Sequence, residues 1–273
     1  MRSALLGLCI LLGAQFTAPP FVVPGVLGGL SSSAMAAELD EIRARGYLIV
    51  AVKDNWYPMG FRGTSGELVG FEIDIARRLA EDLLGAPEAI RFVPVNNLER
   101  VNAVIEGEVD VAIASVTVTA ARQRIADFSL PYYLDGIGFI TRSLAMQTQT
   151  DLATGRIALL QSSSTLSTVR DRLPNAELLP VPSYQAALAL LEADQADAFA
   201  GDVTVVTGWQ QQDPQYRVLD TIISAEPLAI VLPKGTAYTP LRREINHLIR
   251  VWDDEGWLQE RAAAWGLPTR DGR

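Results

Sequence analysis

Cysteine and histidine are almost absent: Cys9 and His247 are the only two in 273 residues. A zinc site, a Cys/His nucleophile pair and a disulfide framework all need more of them, so these classes are excluded. Basic residues are also short, 23 against 32 acidic ones, for a net charge of −9 and a pI near 4.7. Nucleic-acid binding rests on neutralising phosphates with Lys and Arg, and is not expected. No G-x-S-x-G, no phosphate loop with G-K-[ST] and no H-E-x-x-H occurs, and Gly136-Ile137-Gly138 is too little for a dinucleotide fingerprint. No cofactor and no metal are expected. What is abundant is apolar residue content, 49%, ample for the core of one large or two modest domains.

The first 37 residues read as a leader rather than as fold. Arg2 precedes the apolar run Ala4 to Ala14, and Pro19, Pro20 and Pro24 break up the stretch beyond it. Small residues Ser31 to Ala37 then offer an A-x-A pattern at 34–36, which completes a secretory signal peptide. An uncleaved membrane anchor is the alternative; a lipoprotein is the weaker one, because Leu8 precedes Cys9. Cleavage after Ala36 or Ala37 removes one base, no acid and the only cysteine. No later segment has 18 consecutive apolar residues. The expectation is a soluble protein working outside the cytoplasm.

Beyond the leader, strands and helices alternate. Leu48 to Val52 is fully apolar, as a buried parallel strand is. A loop rich in Gly and Pro runs from Asp54 to Gly70. Ile73, Ala76, Leu79, Ala80 and Leu83 then recur at helical spacing, with Gly85 placed to end the helix. Arg91 to Val95 is a strand, Asn97 can cap a helix through Glu106, and Val109 to Ala114 is a third strand. After about residue 140 the plan repeats: strand Arg156 to Leu160, a helix opened by Ser162 to Thr165, strand Leu178 to Val181, a helix capped by Ser183, and strand Ala196 to Ala200 ending at Gly201-Asp202. Two βαβ-type lobes of similar plan are the simplest explanation. A final strand, Leu228 to Leu232, precedes a helix with Pro240 in its first turn and a Leu241, Ile245, Leu248, Ile249, Trp252 face, His247 being a boundary or surface residue.

Ligands of open α/β sheets bind outside the carboxyl ends of the strands. Those ends present Lys53, Asp54, Asn55, Trp56 and Tyr57, then Ser115, Thr117, Thr119 and Arg122, and in the second lobe Gln161, Ser162, Ser163, Ser164 and Asp202. Hydroxyls, aromatics, a guanidinium and a carboxylate, without a nucleophile–base pair, suit the holding of a zwitterion. Arg122 can grip a carboxylate in a fork, helix-opening amides at Ser163 and Ser164 can add donors, and Asp202 can take an ammonium. Each residue also has a plainer reading: a solvated helix charge, simple helix caps, or a core aromatic for Trp56.

Gly70-Phe71-Glu72-Ile73-Asp74-Ile75-Ala76-Arg77-Arg78-Leu79-Ala80 closely resembles the signature of bacterial extracellular solute-binding proteins, family 3, which deliver polar amino acids to ABC importers. Ser115-Val116-Thr117-Val118-Thr119 with Arg122, and Ile125 to Tyr133, agree in order and spacing. The resemblance implies an α/β, two-lobed periplasmic-binding-protein fold with two crossover strands (type II), near Leu134–Gly138 and Glu226–Leu228. Lobe I would comprise residues 38–134 plus 228–273, and lobe II residues 135–227. It implies that Arg122, Thr117, Ser163 and Ser164 hold the ligand's α-carboxylate, that Asp202 and the region of Ser115 hold its ammonium, and that Trp56 stacks on it. The expected protein is a periplasmic, monomeric binder, not an enzyme, whose partners are a free amino acid and a membrane permease. A cyclohexadienyl dehydratase on the same scaffold is the alternative function. Two departures stand out. Ser162-Ser163-Ser164 replaces the usual Gly-Thr-Thr/Ser, and Lys53 stands where some binders of basic amino acids carry an acid. With Asn55 and Gln161 as neutral neighbours, Lys53 points to acidic or neutral polar ligands over arginine, lysine and histidine, unless it snorkels out of the cleft.

Overall fold

The computed structural model describes residues 36–161 and 163–269, so the leader lies outside the described residues except for Ala36 and Ala37. Helix α1 (Leu39–Arg45) leads into β1 (Leu48–Val52), a meander of β2 (Asn55–Trp56), β3 (Gly60–Arg62) and β4 (Leu68–Val69), and helix α2 (Phe71–Leu84). Next come β5 (Ile90–Pro94), α3 (Glu99–Ile105), β6 (Val111–Ile113) and the long β7 (Asp127–Asp135). The second part holds β8 (Ile137–Thr141), α4 (Gln149–Leu152), β9 (Arg156–Leu160), α5 (Thr165–Arg172), β10 (Glu177–Val181), α6 (Tyr184–Glu192), β11 (Ala198–Asp202), α7 (Val203–Gln212) and β12 (Arg217–Val218). Strand β13 (Glu226–Leu232), α8 (Thr239–Asp254) and α9 (Trp257–Ala264) complete the chain.

Two five-stranded sheets result, in the orders β5-β1-β6-β13-β7 and β10-β9-β11-β8-β12. Strand β1 runs parallel between β5 and β6, and β9 runs parallel between β10 and β11, so the repeated plan is real. Burial within a parallel layer explains why β1 is apolar throughout. The chain passes from the first sheet to the second between Asp135 and Ile137 and returns before Glu226, which faces Asp135 in register. These are the two crossovers of a two-lobed α/β fold.

Local chemistry sets the helix ends. Ile73, Ala76, Leu79, Ala80 and Leu83 of α2 are buried, and Gly85, at φ 85°, closes the helix by donating to the Glu81 carbonyl at 2.7 Å. Ser183 Oγ accepts from the Ala186 N–H at 3.2 Å. Helix α8 buries the anticipated face and leaves His247 exposed.

Several expectations change. Asn96, not Asn97, caps α3, its Oδ1 accepting from Leu98 and Glu99. Part of the 54–70 loop is the β2–β4 meander. Strand β6 is shorter than 109–114, because Asp110 takes the Ile49 N–H on its side chain at 2.7 Å and Ser115 turns left-handed at φ 54°. Helix α5 opens as expected, with Ser164 at its N-cap position and Thr165 its first residue. Strand β7 gives little sequence signal, since its alternation is only half buried and carries Pro131.

Candidate functional site

Carboxyl ends of neighbouring parallel strands bring Lys53 (after β1), Val95 (after β5) and Ser115 (after β6) together. Lys53 does not snorkel: it is 3% exposed and its Nζ donates to the Val95 carbonyl at 3.1 Å. Burial, reinforced by the charge of Arg100, pulls its ammonium down to about 8. Ser115 is equally buried, and its hydroxyl proton is committed to Glu72, which leaves its oxygen free to accept. Both its N–H (2.7 Å) and its Oγ (2.9 Å) donate to Oε1 of Glu72, which also accepts from the Tyr132 hydroxyl at 2.5 Å. Glu72 is fully buried, its Oε2 has no partner among the described residues, and burial holds its carboxyl above the usual range.

Beside it lies an arginine the strand-end reading missed. Arg100, on α3, is 8% exposed and donates through Nη1 to the carbonyls of Ala114 and Ser115, both at 2.7 Å, while its Nε has no partner among the described residues. Burial lowers its proton affinity, and the charge of Asp202 is the largest opposing influence. Arg122 sits on a single 3₁₀ turn, Arg122–Arg124, half-buried, with Nη1 donating to the Thr117 carbonyl at 2.9 Å and its N–H to Thr119 Oγ1 at 3.2 Å. Burial and then the nearby Arg100 lower it, with Asp202 and Glu226 opposing. Thr117 is buried and bridges to Leu228 on β13.

From the second lobe comes Asp202, at the end of β11 and the start of α7. Burial raises its carboxyl above the ordinary range, against the pull of Arg100 and Arg122. Asp135, at the end of β7, accepts from Gly136 N–H (2.8 Å), Thr204 N–H (3.3 Å) and Thr204 Oγ1 (2.7 Å), and is raised by burial and by the charge of Asp202. Trp56 is 4% exposed and meets Tyr184 of α6 edge-on, ring centroids 5.7 Å apart, its Nε1 unpartnered among the described residues. On α7, a Cβ at Gly208 would overlap the carbonyl oxygen of Tyr57, so only glycine permits this approach of the lobes.

Lys53, Trp56, Ser115, Thr117, Arg122 and Asp202 therefore gather where the lobes meet, with Arg100, Glu72 and Tyr184 added. No described contact brings Gln161, Ser163 or Ser164 into this group. Gln161 is exposed; the Ser163 N–H already donates to the Leu160 carbonyl at 3.2 Å and its hydroxyl to Thr165 Oγ1 at 2.8 Å; Ser164 is exposed. Ser162 lies outside the described residues. The missed pair left a trace in the sequence. Glu72 and Arg100 each stand four residues before a buried apolar residue, Ala76 and Val104, on the inward face of a helix. A cavity of about 720 Å³ lies beside β7, α8 and α9; Tyr132 and Asp135 line it, but Lys53, Trp56, Arg100, Thr117, Arg122 and Asp202 do not.

Two guanidiniums and one carboxylate thus lie close enough for their charges to act on one another, a set that can hold a carboxylate and an ammonium together. The chain matches the model of bacterial extracellular solute-binding proteins, family 3, over residues 48–268. It is 34% identical over 208 residues, 75% of this chain and 79% of the relative, to a glutamine-binding protein of Geobacillus stearothermophilus. It is 26% identical over 244 residues to the ABC transporter glutamine-binding protein GlnH of Bacillus subtilis (strain 168), covering 88% and 89% of the two chains. A cyclohexadienyl dehydratase of Pseudomonas aeruginosa is 26% identical over 261 residues, 91% and 94% of the two. Among solved structures, the solute receptor for L-cysteine of Neisseria gonorrhoeae superposes with a TM-score of 0.73 at 25% identity, over 84% of this chain and 93% of that one. The chain is thus a member of the bacterial extracellular solute-binding proteins, family 3.

Proposed function

We propose that this protein is the periplasmic binding component of an ABC-type importer and captures a polar L-amino acid, acidic or neutral, by closing its two lobes. The observation that carries the reading is the convergence of Arg100 and Arg122 from one lobe with Asp202 from the other. Arg122, with Thr117 behind it, holds the α-carboxylate, Asp202 holds the ammonium, and Trp56 packs on the ligand. Arg100 and the buried charge of Lys53 leave the cleft cationic beyond what an α-carboxylate needs, which favours a side-chain carboxylate or amide over a second ammonium. Residues 1–37 act as a cleaved signal peptide. The lobes comprise residues 38–134 plus 228–273 and residues 135–227, Gln161, Ser163 and Ser164 approach the ligand only on its arrival, and the protein works as a monomer. The dehydratase reading is the weaker one, since relatives of higher identity are named as binding proteins.

Calorimetric titration with glutamate, aspartate, glutamine, asparagine, arginine, lysine and histidine tests this, after mass spectrometry of ligand retained on the purified protein. Tight binding within the first four supports the reading. Arginine or lysine binding undiminished relative to glutamate overturns the specificity, and turnover of prephenate or arogenate overturns the function.

A further inference from the structure

Glu72 makes no contact that a ligand-binding role by itself would require, yet it is fully buried and collects three donors on one oxygen. Two of the three come from Ser115, one of two residues outside glycine with positive φ among those described. Serine disfavours the left-handed region, and such a conformation persists only where its surroundings over-determine it. The N–H and the hydroxyl of Ser115 pinned to Oε1 are that determinant. The consequence lies on the other side of the same peptide units. With the chain turned at Ser115, the carbonyls of Ala114 and Ser115, consecutive in sequence, both face Nη1 of Arg100 at 2.7 Å. In an extended strand successive carbonyls point to opposite sides and could not share one donor. Tyr132, from β7, braces the same oxygen from a third element.

We propose that Glu72 is a positioning residue for ligand capture: it holds Ser115 in its left-handed turn, and so aims the two carbonyls that fix the Arg100 guanidinium in the cleft. The inference rests on the reading of the cleft as an amino-acid site. The role is that of an acceptor at a set distance, and the negative charge is secondary to it. Glu72→Gln keeps an acceptor oxygen at that distance and loses the charge. Glu72→Asp keeps the charge and withdraws the acceptor by one methylene.

The two variants therefore decide the matter, titrated calorimetrically with L-glutamate and L-glutamine beside the unaltered protein, with thermal unfolding followed in parallel. Glu72→Gln is expected to bind within about fivefold of the unaltered protein, and Glu72→Asp at least about tenfold more weakly. Ser115→Gly, which reaches positive φ without strain, is expected to recover part of the loss in the Glu72→Asp background, a rescue that a merely structural role would not give. The reverse order, Glu72→Asp binding well and Glu72→Gln poorly, overturns the proposal in favour of a charge effect. Equal affinities for all variants overturn it too, whatever happens to the melting temperature. Failure of the unaltered protein to bind any amino acid of the seven-member panel overturns instead the amino-acid reading on which it rests.

Discussion

Replacing Arg100 by methionine keeps a long, unbranched side chain on α3 and removes the guanidinium. Three consequences separate. For stability, the carbonyls of Ala114 and Ser115 lose their 2.7 Å donor, and a buried acceptor left unsatisfied costs about 1–3 kcal/mol. Removing the guanidinium also leaves the buried carboxyls of Asp202 and Glu72 without its charge, and losing one partner of a buried charged group costs about 3–5 kcal/mol. The melting temperature should therefore fall. For binding the loss is separate, because the ligand's anionic group arrives to find its partner gone. Truncating one member of a buried, hydrogen-bonded charge pair costs about 2–5 kcal/mol, which is a loss of roughly thirty-fold to several thousand-fold in affinity. A third consequence concerns protons. Arg100 holds the proton affinity of Asp202 down, so its removal should raise the pH at which binding begins to weaken on acidification. Calorimetry with L-glutamate and L-glutamine across pH, beside differential scanning calorimetry, reads all three. A Kd within threefold of the unaltered protein, with the fold intact, would refute the assignment of Arg100 to the ligand.

Arg122→Ala should likewise weaken binding by about thirtyfold or more, and Arg124→Ala, on the same turn but exposed, should change it little; equal losses would remove Arg122 from the site. Affinity for L-glutamine should fall as pH drops through the raised range of Asp202, since only the ionised carboxylate pairs with an ammonium, and Asp202→Asn should flatten that profile. The stability of the ligand-free protein should run the other way. Asp202 and Asp135 bind protons more tightly folded than unfolded, so their contribution is full below the unfolded value of about 3.9 and is lost as pH rises through their raised values; a melting temperature contribution that grew over this range would contradict the burial argument. Lys53→Met should reduce glutamate binding more than glutamine binding, whereas equal losses would leave Lys53 only its bond to Val95. Gly208→Val should hold α7 off Tyr57, so that small-angle scattering shows no contraction on adding ligand and affinity falls; a normal contraction would show that this contact is not part of closure.

Residues that depend on their own chain neighbours were legible in the sequence. Strand β1, the α2 repeat with its Gly85 stop, the Ser183 cap and the Pro240 start all come from periods and backbone preferences that need no partner. The family signature around Glu72 was legible for the same reason, being contiguous. So was the delivery of Lys53 and Ser115 to one edge, because parallel strands present their carboxyl ends together; Asp202 belongs to the second sheet, and only the folded chain brings it to Arg100 and Arg122. What the sequence could not settle is which way each of these groups turns. The Ser115 hydroxyl serves Glu72, the Lys53 ammonium serves Val95, and the Ser163 amide serves Leu160, because each had a closer acceptor supplied by the folded chain. Arg100 was missed because an arginine amid valines on a short helix reads as a solvated charge until the left-handed turn at Ser115, residues away in sequence, presents it with two carbonyls. Periodicity says which face of an element is inward; only the folded chain says what waits on the other side, and for a buried polar group that partner is what decides its orientation, its proton affinity and its use.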